Sequence, residues 1–275
     1  MKAIVTKQGF VVLSEINIYP IKSTKGIALQ SARVEQRGLE HDRRWMVVDE
    51  SGKFISQRTA PRLALISTSL HNTSLLVSGP GMRSLAIPFT HTEHGEVPVR
   101  IWDDTVQAVP AGDEVQKWFC EFLQVQCRVV FMPDTSLRQV NPRYGTTSDI
   151  VSFADGYPLM LMSKASVDDL NMRLSTPVPM NRFRPSIVVD GCEAFEEDRW
   201  RKIRIGEVIL NVVKPCARCV TTTVDQATGI AGKEPLATLS TYRTFDNEVY
   251  FGQNVIPETN GTLHKGDRVE IISHK

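Results

Sequence analysis

No stretch of this chain is apolar for long enough to cross a bilayer as a helix, which takes about 20 predominantly apolar residues. No membrane partner is expected on that ground. Charge of either sign is not in excess: 32 Lys and Arg stand against 31 Asp and Glu, a formal net charge of +1. That removes the electrostatic reason to expect nucleic acid or an anionic surface as partner. Cysteine is scarce, with five in 275 residues. The count is odd and the spacing wide, so reduced thiols in a cytoplasmic compartment are expected rather than a disulfide framework. The opening Met1-Lys2-Ala3-Ile4-Val5-Thr6-Lys7-Gln8-Gly9 lacks the apolar core of a secretory signal, which agrees with that location. GxGxxG, P-loop, HExxH and GxSxG patterns are all missing, so dinucleotide, nucleotide, zinc-protease and hydrolase-elbow chemistries have no support. There is no internal repeat and no low-complexity segment.

What remains is a chain that is 41% hydrophobic and 23% charged, the balance of a globular protein with a core. Its first half reads as short strands between turns: 11–19, 45–48, 63–69, 74–77, 85–87, 97–102 and 105–109. Asp49-Glu50-Ser51-Gly52 between Trp45–Val48 and Phe54-Ile55 is a hairpin signal. Regular strand spacing of this kind suggests a barrel or folded-over sheet. One helix is predicted, capped by Asp113, with Val115, Trp118, Phe119, Phe122 and Leu123 on its apolar face. The polar segment 141–147 is the candidate linker. Beyond it, strands are expected at 159–162, 186–189, 200–205, 208–213 and 268–272, and helices at 166–174 and 235–239. Ser166 and Asp169 resemble a capping box. The fold class is thus mixed and β-rich, α+β, with a few short helices.

Lys214-Pro215-Cys216-Ala217-Arg218-Cys219-Val220-Thr221-Thr222-Thr223-Val224-Asp225 concentrates the chemistry. Two thiols sit three residues apart with a guanidinium beside the second, and a fixed cation favours the thiolate. Pro215 is expected to end the preceding strand and leave the cysteines on a loop. A lone CxxC fits half a zinc site, a redox dithiol, a single ligand to a cofactor-borne metal, or two buried small hydrophobes. Zinc lacks a matching second pair, since Cys120, Cys127 and Cys192 are scattered and only His91 and His94 lie close together. A dithiol usually opens a helix, whereas Val220-Thr221-Thr222-Thr223 reads as strand.

Cations gather near strand ends. Lys22 and Ser23 follow the first strand and can cradle a phosphate. Arg43 and Arg44 precede the second, and Arg182 and Arg184 precede another; arginine forks suit phosphate or carboxylate. Each alone is as well explained as a solvated loop charge. Together they make an anionic small molecule plausible. Asp155 can orient a ligand or cap a turn. Glu196, Glu197 and Asp198 read as a solvated hairpin shoulder.

The segments Ser14–Ser23 and Gly38–Trp45 resemble the MOSC N-terminal β-barrel domain, expected over residues 10–135. Asn181-Arg182-Phe183-Arg184-Pro185, Glu197-Asp198-Arg199-Trp200, Cys216-Ala217-Arg218-Cys219, Lys233-Glu234-Pro235-Leu236 and Phe251-Gly252-Gln253-Asn254 resemble the MOSC domain, expected over 145–274. Within that superfamily the chain is most similar to amidoxime-reducing components and bacterial reductases of N-hydroxylated compounds. The resemblance implies a molybdenum cofactor, a molybdopterin with a phosphate tail, acting on a small N-oxygenated substrate by oxygen-atom removal. It implies Cys219 as the metal ligand and a catalytic residue, with Asp225 orienting the loop or shuttling a proton. Lys22, Ser23, Arg43, Ser163, Arg182, Arg184 and Arg218 are the implied cofactor-binding residues, with Arg218 also favouring ionised Cys219. No ferredoxin-like domain is read after the last strand, so the expected electron donor is a separate protein: a ferredoxin, a cytochrome b5-like protein or a flavoprotein reductase. The alternative from the same resemblance is a cofactor or sulfur carrier without redox turnover.

Overall fold

The computed structural model describes residues 10–90 and 95–275, which places the His91/His94 pair outside the described residues. A nine-stranded sheet forms the larger layer. Its order is Val269–His274, Trp200–Ile205, Val208–Ala217, Glu248–Pro257, Leu159–Ser163, Ile187–Asp190, Val12–Ile18 and Ile27–Leu29, with Thr244–Phe245 paired to Glu248–Pro257. Neighbours are antiparallel except Leu159–Ser163 and Ile187–Asp190, which run parallel. A parallel pair needs a crossover. Helix α2 (Lys164–Arg173) and the irregular chain after it supply one, and that return carries Arg182 and Arg184. All five residues of Leu159–Ser163 are buried, as expected of a strand covered on both faces.

The sheet closes on itself. Leu13 N–H donates to Asp267 O at 2.8 Å and Val269 N–H to Val11 O at 2.8 Å, joining the first strand to the last. Inside lie Leu13, Ile16, Ile18, Leu161, Ile187, Trp200, Ile203, Leu210 and Val255. Leu13 and Ile16 share this core despite odd spacing, because the register slips between Leu13 and Glu15. Such a bulge turns two residues where pairing allows one.

A second layer comes from the first half of the chain. Trp45–Val48, Arg128–Phe131, Asp104–Pro110 and Val97–Ile101 form an antiparallel sheet. Helix α1 (Asp113–Leu123) packs Val115, Trp118, Phe119 and Phe122 onto Trp45, Val47 and Leu75. The expected apolar face is the one buried.

The sheets do not divide at the 141–147 segment. Val12–Ile18 and Ile27–Leu29 lie in the large sheet, and Ser31–Glu35 pairs with Gly261–His264. Strand character is local and visible in the sequence; pairing is not, so this exchange of strands across the 135–145 segment is seen only in the structure. Some local expectations need correction. Asp113 is the first helical residue of α1, and the cap is Gly112 at φ 102, a value glycine tolerates. Residues 63–69 split into a 3₁₀ turn at Pro61–Leu65, started by the proline ring, and a strand at Ser67–Leu70. The cap of α2 is Ser163, whose side chain accepts from Ser166 N–H, so Ser166 is not the cap. Pro215 does not end its strand: Val208–Ala217 continues past it, with register shifts at Val212/Lys214 and Pro215/Ala217. Irregular pairing tolerates a residue without a donor. Val220–Thr223 is a 3₁₀ turn, not a strand, because Thr222 and Thr223 hydroxyls bond back to Cys219 O and Val220 O.

Candidate functional site

Where the two halves meet, a cleft encloses about 910 Å³ of empty space, its mouth included. Among the described residues six cationic side chains line it, those of Lys22, Arg43, Arg58, Arg182, Arg184 and Arg218, against one carboxylate, Asp155. Ser23, Cys216 and Cys219 line it too. Of the nine sequence-expected site residues, seven therefore share one cavity. Ser163 and Asp225 do not line it.

Four of the lining residues hold positive φ: Ser23 at 71°, Arg43 at 48°, Trp102 at 55° and Arg184 at 57°. Non-glycine residues adopt this region rarely, and strain of this kind concentrates at functional sites. The chain leaves the strand Val12–Ile18 at Pro20, and the Lys22 N–H is then fixed by Trp45 O at 2.8 Å. Lys22 Nζ donates to Phe153 O at 2.9 Å and to Asp155 Oδ1 at 2.6 Å. Burial pushes the Lys22 ammonium down from its ordinary value, and Asp155 partly restores it. Desolvation in the cleft raises the Asp155 carboxyl although the side chain stays exposed, and Lys22 with Arg58 and Arg43 together outweigh it and hold the group well below the usual carboxylate range.

Arg43 and Arg184 both lie over the Tyr19 ring, at 4.3 and 4.2 Å from its centroid. Arg43 donates to Asp42 Oδ2, Ser186 Oγ (3.3 Å) and Arg184 O (3.2 Å). Asp42 is buried and its other oxygen accepts from Tyr19 N–H at 2.7 Å, so this arginine is fixed from two sides. Arg184 donates to Thr24 O at 2.6 Å, and burial draws it down to about 10. Burial pushes the Tyr19 phenol up to about 12, and its hydroxyl donates to Pro185 O at 3.2 Å.

The two cysteines differ. Burial pushes the Cys216 thiol up, with Arg218 opposing. Burial pushes Cys219 up as well, but hydrogen bonds from Thr221 and Arg58 outweigh it, and the net shift is downward. Arg58 Nη2 donates to Cys219 Sγ at 3.2 Å, and Thr221 Oγ1 lies 3.4 Å from the same sulfur. Arg218 also acts on Cys219, through its charge. Its guanidinium turns into the protein, donating to Phe251 O (2.7 Å) and Phe183 O (3.1 Å) and lying 3.0 Å from Met160 Sδ. Adjacency in sequence does not fix side-chain direction.

Arg182 is a clamp on the cysteine loop. It donates to Thr222 O, Thr223 O and Glu234 O at 2.8 to 2.9 Å, and to Asp225 Oδ2 at 3.3 Å. Asp225 Oδ1 accepts from Ala227 N–H, Thr228 N–H and the Thr228 hydroxyl. Backbone bonding from Thr228 leads the causes that keep its carboxyl below the ordinary value. An ionised, turn-capping aspartate orients the loop and is poorly suited to carry a proton. Ser163 is fully buried, capping α2 and donating to Glu197 Oε2 at 2.9 Å. Glu197 is buried too, not on a solvated shoulder, and burial raises its carboxyl above the usual range.

Sequence reasoning missed Arg58, Trp102 and Gln57. Gln57 and Gln226 exchange amide hydrogen bonds at 3.1 and 3.0 Å, and Gln57 also donates to Ser23 O at 2.7 Å. This buried pair ties the Arg58 loop to the cysteine loop. No local signal marks it, since a buried amide and a solvated one read alike in a sequence.

The model of the MOSC N-terminal beta barrel domain matches residues 10–126, and that of the MOSC domain matches 148–270. Mitochondrial amidoxime reducing component 2 of Rattus norvegicus is 39% identical over 277 residues, covering 94% of this chain and 82% of the relative. The chain belongs to the MOSC family. Mitochondrial amidoxime-reducing component 1 is 37% identical in Danio rerio, over 96% of this chain and 85% of the relative. The Homo sapiens component 1 is 33% identical, over 94% and 82%. In this MOSC protein no helix among the described residues is long and apolar enough to cross a membrane. Cys120, Cys127 and Cys192 do not line the cleft. No group of three or more His, Cys, Asp or Glu side chains among the described residues is arranged to hold a metal ion.

Proposed function

We propose that this MOSC protein reduces N-hydroxylated compounds with a molybdenum cofactor held in the cleft and ligated by Cys219. The observation that carries the reading is one sulfur, kept toward thiolate by Arg58 and Thr221, lining a cleft with six cations and a single carboxylate. Thiolate is a soft ligand suited to a thiolate-rich metal centre. The residues present fit a phosphorylated pterin. Lys22 is almost wholly buried, and the Arg184 guanidinium has Thr24 O as its hydrogen-bond acceptor among the described residues. Cations desolvated in this way favour an anionic ligand.

When bound, the cofactor supplies two-electron oxygen-atom removal: R–NHOH, two electrons and two protons give R–NH2 and water. The chain's residues bind and orient. Lys22, Ser23, Arg43 and Arg184 would hold the pterin and its phosphate, while Arg218 fixes the far side of the loop through Phe251 O and Phe183 O. Arg182 and Asp225 keep the loop's shape. The proposed electron donor is a separate protein of the ferredoxin, cytochrome b5-like or flavoprotein type. The free thiols suit a reducing compartment, and the cytoplasm is the proposed one. Incubation of cofactor-loaded protein with benzamidoxime and a reduced viologen dye tests the reading. Benzamidine should form stoichiometrically with dye oxidised. Molybdenum binding without any amidine would instead support a carrier.

A further inference from the structure

We propose that Trp102, with the Arg58 guanidinium on its face, is the substrate-facing wall of the cleft and selects planar aromatic N-oxygenated compounds over small aliphatic ones. The inference rests on the reductase reading above.

The cleft lining is graded in exposure. Lys22 is buried and Arg43 half-buried, bonded to Phe153 O, Asp155 and Arg184 O. Arg58 is exposed and Trp102 keeps 37% of its surface open. Arg58 lies 4.4 Å from the Trp102 ring centroid, and Phe54 braces the same ring at 5.0 Å with a 56° tilt. The stack leads directly to the sulfur, because Arg58 Nη2 is 3.2 Å from Cys219 Sγ. A substrate presenting its N–O group to a centre held by Cys219 would lay the rest of its body along the wall beside that sulfur. Trp102 and Phe54 offer that body aromatic surface.

The position of Trp102 is itself costly. Ile101 pairs with Asp104, so Trp102 and Asp103 form a two-residue hairpin turn, and Trp102 takes φ 55. Gly, Asn or Asp normally fill such a place. A bulky residue held in that conformation and left partly exposed is not explained by core packing, and such strain persists where function requires it.

The test compares two substrates with the same reducible group, benzamidoxime and acetamidoxime. In Trp102→Ala, KM for benzamidoxime should rise about tenfold with kcat unchanged, the size of one lost aromatic contact. KM for acetamidoxime should stay within about twofold, and Trp102→Phe should lie between, which also guards against a folding defect. Equal loss on both substrates, or none on either, overturns the proposal. Calorimetric titration of benzamidoxime into wild type and Trp102→Ala separates this from the reductase reading. Binding that depends on Trp102, with neither amidoxime reduced, keeps the wall and rejects the reductase. Binding that is absent, or that does not depend on Trp102, rejects the wall.

Discussion

Arg58 donates to the sulfur of Cys219 at 3.2 Å from a loop 161 residues earlier in the chain. The first half of the protein thereby adds to the Thr221 bonds that lower the second half's thiol pKa. In cofactor-free protein Cys219, held below its ordinary pKa, should be alkylated by iodoacetamide at neutral pH well before Cys216, which burial holds above it. The sign follows from the thiolate's being the nucleophile: a lower pKa gives more thiolate at a given pH. Arg58→Gln removes a stabilising donor, so the pH midpoint of Cys219 alkylation should move upward. Peptide mass spectrometry reads both sites. Equal rates at Cys216 and Cys219, or no movement in Arg58→Gln, would contradict the assignment.

Arg182 and the loop it clamps give a stability prediction. Its side chain is 8% exposed and bonds three carbonyls, those of Thr222, Thr223 and Glu234. Arg182→Met leaves those acceptors without their donor and should cost about 3 kcal/mol. The urea midpoint should fall with an unchanged slope. Arg184→Met should destabilise far less, because it breaks one hydrogen bond, to Thr24 O.

Ser163 separates fold from site. Its hydroxyl caps α2 and bonds Glu197, and it does not line the cleft. Ser163→Ala should cost about 1 kcal/mol of stability through the lost cap. Molybdenum content and KM should be unchanged. A selective loss of molybdenum at full stability would return Ser163 to the cofactor site.

What was legible in the sequence follows the range of each signal. Lys22, Ser23, Arg43, Arg184 and Cys219 were legible because they stand where strands end, and the structure gathers all five in one cleft. The α1 face was legible because Val115, Trp118, Phe119 and Phe122 repeat at helical spacing. Arg58 and Trp102 were not, since no local pattern marks Ser56-Gln57-Arg58-Thr59 and Trp102 reads as a strand end. Their meaning comes from pairing across the molecule. The same holds for the strand Glu248–Pro257, which lies between Val208–Ala217 and Leu159–Ser163 and whose neighbours no local pattern names. Resemblance to relatives supplied Ser163, and the geometry of this chain moves it to the cap of α2.

Cys219, and not Cys216, is the proposed molybdenum ligand. The direct measurement is elemental molybdenum per chain in wild type, Cys219→Ser and Cys216→Ser, each purified from the same molybdenum-replete, cofactor-competent host. Close to one atom per chain is expected in wild type and Cys216→Ser, and almost none in Cys219→Ser. Retention in Cys219→Ser with loss in Cys216→Ser would contradict that assignment.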